Sequence, residues 1–531
     1  MWISRTLTEI KARPVLLVLL IFIGLNLPFL TVYPAIDRTG DESWYTNYSV
    51  ELIESGKLRG TMFPMAGDLN EGNSLNPWLY SGTLSLFFLV LGPGIWAGRL
   101  LSLLCGAGTV YVTYRIGREF FSEKTAVAAA LFLSTSIFFS SSSREIRPEA
   151  MYTFFLVLGF YLFYKAVLSG EGRTRGLFLF LSSLSISSLI EIHPNGFLAM
   201  FSLFLLYFIF CRPRFSRAIL YFFAGFAAVL ILWFFANFLP YMDRAFASFQ
   251  TIHYSELPPI LRGDFLSPLK GLLFLPEEFV IYLFDDSYSH FNYQNTVGIS
   301  FFAVAGLAVF AAYILFSRIR LRVVVILLAT VLALWGSHVF RGDCLFVYFT
   351  YFIPFSALLA AGSIEGISEK YSDRKVIRWI STAVVLVTCL VSVIDSVEAD
   401  TRFVQYKGRY DSMMKTVRET IPPDSAVLGS SMYYQAFRGS RKYYSYLFMY
   451  MQCPSFERTV SVLDVDYIIM DDTFRDRAKW WCLDQYYAGQ IEPFLNTRCD
   501  LVEKIAVGYP TRNSDGVLNE LSIFRVRKKQ P

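Results

Sequence analysis

Long apolar segments alternate with short polar loops along the first 395 residues of the chain. A helix needs about 20 apolar residues to cross a bilayer. The pattern therefore predicts about eleven transmembrane helices and an all-α polytopic body. The predicted spans are residues 14–34, 95–116, 124–141, 149–168, 177–192, 196–211, 218–240, 297–317, 322–338, 344–362 and 378–395.

One further apolar segment, residues 76–92, decides on which side of the membrane every later loop lies. Lys and Arg cluster in six of the loops, and such clusters mark the cytoplasmic side. All six fall on one side only if residues 76–92 do not cross. This segment is therefore predicted to be an interfacial or re-entrant helix that starts at Asn76-Pro77. The N-terminus is then inside, and residues 396–531 are outside.

Three sizeable regions face outward on this topology. Loop 35–94 carries the candidate chemistry, and loop 241–296 contains prolines and short amphipathic pieces suited to the interface. The tail, residues 396–531, contains the strand-like stretches "AVLGSS", "VDYIIMDD" and "ELSIFRV". The predicted domains are thus a membrane domain over residues 1–395 and a small exported α/β domain over residues 396–531.

The composition places the chain in a membrane. Hydrophobic residues make up 54% of it and charged residues only 17%, whereas soluble domains carry about 25% charged residues. A net charge of +5 could suggest nucleic acid, but the basic residues lie in short loops between spans. The predicted location is therefore the plasma (inner) membrane, with no nucleic-acid partner. Cys453, Cys482 and Cys499 lie in the tail, where one disulfide could form in an oxidising compartment.

Two adjacent carboxylates, Asp41 and Glu42, lie in the first outer loop, where the membrane surface meets water. One carboxylate could remove the proton from an acceptor hydroxyl, and the other could orient the acceptor or help to hold a divalent metal ion. Two carboxylates are too few to establish a metal site. Considered alone, the pair fits a structural role, as a solvated loop start and helix N-cap, about as well as it fits a chemical one.

Four arginines lie on the outer side, against the positive-inside trend. Arg144 and Arg147 stand in "SSSSREIRPEAM", Arg99 lies at the outer end of its span, and Arg341 lies in "HVFRGD". Charges at membrane level usually have a function, and the planar fork of arginine pairs with phosphate oxygens. The structural alternative is helix capping by Glu149 with snorkelling arginines.

The stretch "DESWYTNYSVELIESGKL", Asp41 to Leu58, resembles the acidic first-loop motif of the GT-C glycosyltransferases. The similar branch is that of protein O-mannosyltransferases and lipid A aminoarabinose transferases, which is glycosyltransferase family 39-like. The resemblance continues through "NPWLY" to "SSSSREIRPEAMYTFF" and covers about the first 170 residues. It implies a GT-C membrane fold and transfer of a sugar from a polyprenyl-phosphate donor to an outer acceptor, with inversion at the sugar carbon. The chain shows neither a Walker-type loop nor a dinucleotide fingerprint.

The resemblance also implies roles by position. Asp41 matches the catalytic aspartate, which acts as the general base, and Glu42 matches its acidic neighbour. Relatives usually have His or Lys before the proline where this chain has Asn76, which can donate a hydrogen bond but brings no charge. More of the phosphate binding then falls to the arginines. The implied donor-phosphate set is Asn76, Arg99, Arg144, Arg147 and Arg341.

Two other function classes compete with an enzyme. A transporter or flippase of lipid-linked sugars would place its binding groups near the midplane, often in two related halves, but these charges lie at the outer rim and no matching halves are seen. A scaffold that displays the tail would leave the rim charges without a purpose. The sequence identifies neither the sugar nor whether the acceptor is a protein, a lipid or a polysaccharide.

The topology can be tested by labelling. A reporter cysteine at Ser514 should react with a membrane-impermeant maleimide added from outside, whereas one at Ser216 should be spared, because Ser216 lies in a basic loop. The measurement is labelling before and after permeabilisation, with accessible native cysteines replaced. The reverse pattern would contradict both the orientation and the outer location of Asp41.

Overall fold

The structure is a computed structural model of the 531-residue chain. It describes residues 14–31, 41–62, 78–170, 172–193, 195–211, 217–239, 242, 329–330, 350–371, 373–404, 408–438, 442–446, 453, 455–471, 483–510 and 517–528. The predicted spans 297–317 and 322–338 lie almost entirely outside these residues, as does nearly all of the predicted interfacial loop 241–296.

Helices dominate the described part of the chain before residue 404. In order they are α1 (Pro14–Asn26), α2 (Asp41–Ser55), α3 (Trp78–Leu91), α4 (Ile95–Phe120), α5 (Glu123–Thr135), α6 (Ile137–Ser142), α7 (Glu149–Leu168), α8 (Arg173–Ser187), α9 (Gly196–Cys211), α10 (Arg217–Trp233), α11 (Ile353–Lys370) and α12 (Lys375–Val404). Short 3₁₀ turns follow α1 (Leu27–Leu30) and α8 (Ser188–Glu191), and a π-turn follows α10 (Phe234–Phe238).

Four helices in the described residues are long and apolar enough to cross a membrane. They are Ile95–Phe120, Glu149–Leu168, Arg217–Ala236 and Lys375–Ile394. Helix α3 has 14 residues, fewer than the about 20 that a crossing needs. The polytopic helical architecture is thus confirmed, while the count of eleven spans and the interfacial role of residues 76–92 stay predictions.

Two predicted spans have different bounds in the structure. The segment 124–141 is interrupted at Ser136, whose extended backbone separates α5 from α6. The run Ser134-Thr135-Ser136 accounts for the break, since Ser and Thr hydroxyls compete for backbone hydrogen bonds. The helix predicted over 344–362 appears as α11, which starts at Ile353 with Pro354 in its first turn, a favoured proline position.

Small residues let the membrane helices approach closely. An added Cβ at Gly225 of α10 would lie 2.4 Å from the Phe180 carbonyl oxygen of α8. Serine hydroxyls supply the polar contacts between helices: Ser182 Oγ of α8 donates to the Gly159 carbonyl of α7 at 2.8 Å. Helix association inside a membrane relies on such packing, because the hydrophobic effect does not drive it there.

A five-stranded sheet forms the C-terminal region. Its strands are β1 (Val427–Gly429), β2 (Tyr443–Ser445), β3 (Tyr467–Asp471), β4 (Cys499–Pro510) and β5 (Val517–Val526), in the order β2-β1-β3-β5-β4. Strand β1 runs parallel to β2 and β3, and β5 runs antiparallel to β3 and β4. The predicted strands correspond to β1, β3 and β5, whereas β2 and β4 were not predicted.

Three helices accompany this sheet: α13 (Arg409–Thr420), α14 (Phe456–Val462) and α15 (Leu483–Arg498). Side chains of α14 and α15, among them Phe456 and Phe494, pack with Leu428 and Ile468 into a buried core. The Cys453 and Cys499 side chains are buried, and no disulfide joins these two residues in the described part of the chain. Cys482 lies outside the described residues.

The chain packs into two compact units. One contains α1, α4 from Arg99 onward, and α5 to α12 up to Ala399; the other contains the described part of residues 31–98 and the C-terminal region from Asp400. The first outer loop therefore packs with the C-terminal sheet. This is a grouping by packing, and the linear division into residues 1–395 and 396–531 stays a prediction.

The close approach at Gly225 can be tested by adding one methyl group. Gly225→Ala should lower stability by about 1–3 kcal/mol, because overpacking forces backbone or side chains to shift. Gly82→Ala in α3 is the control, since an added Cβ there meets nothing within 4 Å. Thermal melts in detergent compare the two. Equal melting temperatures would contradict the described contact between α8 and α10.

Candidate functional site

Two arginines that are 45 positions apart in the sequence meet the same turn of the chain. Both Arg99 and Arg144 have no exposed surface. Arg99 Nη1 donates to the Leu30 carbonyl oxygen at 3.2 Å. The Arg144 guanidinium lies 5.6 Å from the ring centroid of Phe29, a cation–π distance. The 3₁₀ turn Leu27–Leu30 thus brings together two of the predicted phosphate-binding residues.

The segment between α6 and α7 holds Arg144 in place through its neighbours. Ser102 Oγ of α4 donates to the Glu145 carbonyl oxygen, and Ser141 Oγ donates to Glu145 Oε1 at 2.9 Å. The Arg144 amide closes a turn onto the Ser141 carbonyl at 3.0 Å. Gly106 allows this approach, because an added Cβ would lie 2.5 Å from the Ser143 hydroxyl oxygen.

Arg147 is oriented by a carboxylate at the start of α7. Its Nε and Nη2 donate to Glu149 Oε2 and Oε1 at 3.2 and 2.9 Å. This two-pronged pair is mostly buried, with side-chain exposures of 15% for Arg147 and 3% for Glu149. A bidentate geometry is the strong form of an Arg–carboxylate contact. The Arg147 guanidinium group is therefore already hydrogen-bonded to Glu149.

The arginine cluster, defined as Arg99, Arg144, Glu145, Arg147 and Glu149, contains three guanidinium groups and two carboxylates. Guanidinium groups stay protonated in proteins, and buried charge is costly unless it is compensated. An anionic group is the chemistry that suits such a cluster.

The acidic pair occupies the first turn of α2. Asp41 is half-buried and Glu42 is 1% exposed. Negative charge is favourable at a helix N-terminus, where backbone N–H groups point outward. Thr46 Oγ1 donates to the Glu42 carbonyl oxygen at 2.6 Å, which ties down the first turn. The two carboxylates therefore differ in solvent access, and Asp41 is the more exposed of the two.

Helix α2 lies against α3 through small and aromatic residues. Ser49 Oγ donates to the Ser81 carbonyl oxygen at 3.1 Å, and Ser85 Oγ donates to the Ser49 carbonyl oxygen at 3.0 Å. The Tyr45 and Tyr80 rings meet edge to face at 5.1 Å. The apolar segment after "NPWLY" thus supports the helix that begins with the acidic pair.

Two predicted donor-site residues, Asn76 and Arg341, lie outside the described residues. The role of the metal stays undecided as well: within the described part of the chain, no three His, Cys, Asp or Glu side chains gather as ligands. Asp41 and Glu42 alone supply fewer oxygen ligands than Mg²⁺ or Ca²⁺ takes, so a divalent metal ion stays a prediction from the sequence.

Sequence analysis missed Asn47 and Tyr434. Asn47 is buried on α2, where its Nδ2 donates to Thr61 Oγ1 at 2.9 Å and its Oδ1 accepts from the Met62 amide at 3.3 Å. Tyr434 lies in a 3₁₀ turn of the C-terminal region (Ser431–Ala436) and hydrogen-bonds with Asn47. No sequence signal joins residues almost 390 positions apart.

Comparison with known proteins identifies a family that matches part of the chain. The family described as "Dolichyl-phosphate-mannose-protein mannosyltransferase" matches residues 76–239, which include α3, α4 and every residue of the arginine cluster. An uncharacterised protein of Aquifex aeolicus (strain VF5) is 26% identical over 248 residues. That match covers 46% of this chain and 48% of the relative, so the chain spans about half the length of the curated relative it matches.

Solved structures match over nearly the whole chain. The crystal structure of ArnT from Cupriavidus metallidurans bound to undecaprenyl phosphate gives a TM-score of 0.62 at 13% identity, covering 96% of this chain and 98% of ArnT. The chain has the GT-C fold. The oligosaccharyltransferase AglB from Archaeoglobus fulgidus, in complex with an inhibitory peptide and a dolichol-phosphate, gives 0.57 at 15% identity, covering 96% of this chain and 76% of AglB.

A third GT-C structure is the mycobacterial arabinofuranosyltransferase AftD. Its TM-score is 0.52 at 12% identity, and the match covers 97% of this chain but 40% of AftD. The recognition made from the sequence, a GT-C chain similar to the O-mannosyltransferase and aminoarabinose transferase branch, is thereby confirmed. At these identities the structures establish the fold of the protein.

Proposed function

We propose that this GT-C protein transfers a sugar from a polyprenyl-phosphate donor to an acceptor hydroxyl on the extracytoplasmic side of the membrane. The observation that carries the proposal is the meeting of Arg99 and Arg144 at the turn Phe29-Leu30. Two permanent charges with no exposed surface suit a membrane-bound anion. The sugar, and its class as a hexose or a pentose, is to be identified by experiment.

The donor's phosphate gives the buried arginines a chemical role. A polyprenyl-phosphate sugar is a phosphodiester with one negative charge, and the departing polyprenyl phosphate carries up to two. Arginines that bind the phosphate therefore gain interaction energy as the sugar–oxygen bond breaks, and such differential binding lowers the barrier. ArnT was solved bound to undecaprenyl phosphate and AglB in complex with a dolichol-phosphate, which supports this donor class.

The proposed chemistry is a direct displacement. The Asp41 carboxylate takes the proton of the acceptor hydroxyl, and the hydroxyl oxygen forms a bond to the anomeric carbon. The bond from that carbon to the phosphate oxygen breaks, and its electron pair leaves with polyprenyl phosphate. The half-buried position of Asp41 suits contact with an acceptor, whereas buried Glu42 suits an orienting role.

Donor binding is expected to depend on the buried arginines. Arg99→Ala and Arg144→Ala should each weaken binding of undecaprenyl phosphate by about 10–100-fold, the equivalent of a charged hydrogen bond. Lys at either position should recover only part of the loss, because it lacks the planar fork. Arg147→Ala should weaken binding too, with an added loss of stability as Glu149 loses its partner.

The control for donor binding is Arg118→Ala, at the other end of the same helix α4. Arg118 is 62% exposed and pairs with Glu123 at 3.0 Å, so its loss should leave the dissociation constant unchanged. Titrations in detergent below each variant's melting temperature measure the effect. Wild-type affinity in all three outer variants would remove these arginines from the donor site.

The base can be tested by an isosteric change. Asp41→Asn should reduce transfer from a synthetic polyprenyl-phosphate mannose, or another polyprenyl-phosphate sugar that the wild type uses, by about 10²–10⁴-fold. Glu42→Gln should also slow transfer. Asp411→Asn is the control, because Asp411 is an exposed acid in the first turn of α13.

Two outcomes would overturn the assignments. An Asp41→Asn protein that melts normally and transfers at the wild-type rate would disprove the base. A wild-type protein that moves intact lipid-linked sugar across liposomes, yet releases no polyprenyl phosphate, would support the alternative of a transporter or flippase.

A further inference from the structure

Helix α2 is tied to the C-terminal region by hydrogen bonds that centre on Asn47. The side chain of Asn47 makes two of them: its Nδ2 donates to Thr61 Oγ1, and its Oδ1 accepts from the Met62 backbone amide. The Met62 carbonyl oxygen in turn accepts from the Ser445 amide at 2.8 Å. A continuous chain of hydrogen bonds therefore runs from α2 to the last residue of β2.

The contact at Ser445 lies at the edge of the sheet. Strand β2 is the outermost strand on its side, and edge strands present backbone groups that another segment can pair with. Met62 of the first outer loop uses one of these groups. The loop thus caps the sheet edge in the manner of a one-residue strand addition.

Tyr434 makes a second link between the same two segments. It lies in the 3₁₀ turn after β1, it is buried, and it hydrogen-bonds with Asn47. Burial raises the pKa of Tyr434 to about 12; the Asn47 hydrogen bond opposes this rise, and Glu51 and Glu54 of α2 add to it. The hydroxyl therefore stays protonated at neutral pH.

A third link joins the C-terminal region to the far end of α3. The Arg438 guanidinium donates to the Pro93 carbonyl oxygen in the turn between α3 and α4. The C-terminal region thus contacts the first outer loop both after α2, at Met62, and after α3, at Pro93.

We propose that the C-terminal domain positions the acidic pair for sugar transfer by clamping α2 through Asn47, Thr61 and Tyr434. This inference rests on the proposed function, in which Asp41 is the base. Asn47 follows Asp41 by six residues, less than two helical turns, so a tilt at Asn47 carries directly to the carboxylates. Misplacement by about 1 Å is enough to slow an oriented reaction by about 100-fold.

If the clamp holds α2 in place, weakening the clamp should speed up hydrogen exchange in α2. Tyr434→Phe keeps the ring but removes the hydroxyl, and Thr61→Val keeps the shape but removes the acceptor for Asn47. Exchange of the backbone amides of residues 45–55 should speed up by at least about fivefold in each full-length variant, the equivalent of one hydrogen bond. Amides of β3, residues 467–471, should exchange as in the wild type.

Two control variants separate the clamp from general damage. Thr61→Ser keeps a hydroxyl acceptor and should restore slow exchange in α2. Tyr467→Phe removes a hydroxyl in the same sheet, one that accepts from Arg525 Nε at 3.2 Å, and should leave α2 unchanged. Wild-type exchange of α2 in both Tyr434→Phe and Thr61→Val would overturn the clamp, whether or not the protein transfers sugar.

Kinetics then test positioning against a merely structural role. Tyr434→Phe and Thr61→Val should lower kcat by about fivefold, and Asn47→Ala by at least tenfold, with the KM for the donor unchanged within about twofold. Loosened exchange with wild-type kcat would refute the positioning role. If Asp41→Asn is fully active while the clamp variants loosen α2 and lower kcat, the base assignment fails and the clamp stands.

Discussion

An arginine cannot shed its charge, and this constraint organises the helical unit around Arg99 and Arg144. Both guanidinium groups lie inside an apolar body, so the surrounding chain must supply carbonyl oxygens, ring faces and carboxylates. The turn Leu27–Leu30 supplies a carbonyl and a ring, and the segment between α6 and α7 is held by hydroxyls of Ser102 and Ser141. The packing of α1, α4 and the loop before α7 follows from this need.

Helix α2, which begins with the acidic pair, is stabilised by a different set of interactions. Helix α2 carries a buried polar face with Ser49 against α3 and Asn47 against the C-terminal turn. A helix with a buried polar face gains part of its stability from specific hydrogen bonds to its neighbours. Its position is therefore only as well defined as those partners, which is why a remote domain can influence the first turn of α2.

Much of the architecture could be predicted from local pattern. Long apolar runs identify α4, α7 and α12, and the strand-like stretches "VDYIIMDD" and "ELSIFRV" identify β3 and β5. The acidic stretch at Asp41 was recognised as resembling a family motif. The family model matches residues 76–239, beyond that stretch, and the solved structures agree with the GT-C fold. These features depend on neighbours in sequence, so sequence alone carries them.

Other features depend on contacts between distant residues. The break at Ser136 depends on a competition between hydroxyl and backbone groups that hydropathy does not measure. Strand β4, "CDLVEKIAVGYP", is a partly solvated strand at a sheet edge, and its polar residues weaken the apolar alternation. The pairing of Arg147 with Glu149 is visible as spacing, but the burial that makes it strong is not. The role of Asn47 can be recognised only in the folded structure, where Tyr434 lies beside it.

The bond between Met62 and Ser445 also orders events during synthesis. The two residues lie nearly four hundred positions apart, and a ribosome adds about 5–20 residues each second. Helix α2 must therefore wait roughly 20–80 s after its own translation before the strand that anchors it exists. During that interval the nascent chain carries its carboxylates on a segment that lacks its final neighbour. A truncated product that ends before β2 would keep every residue of the acidic motif and still lack the partner that holds it.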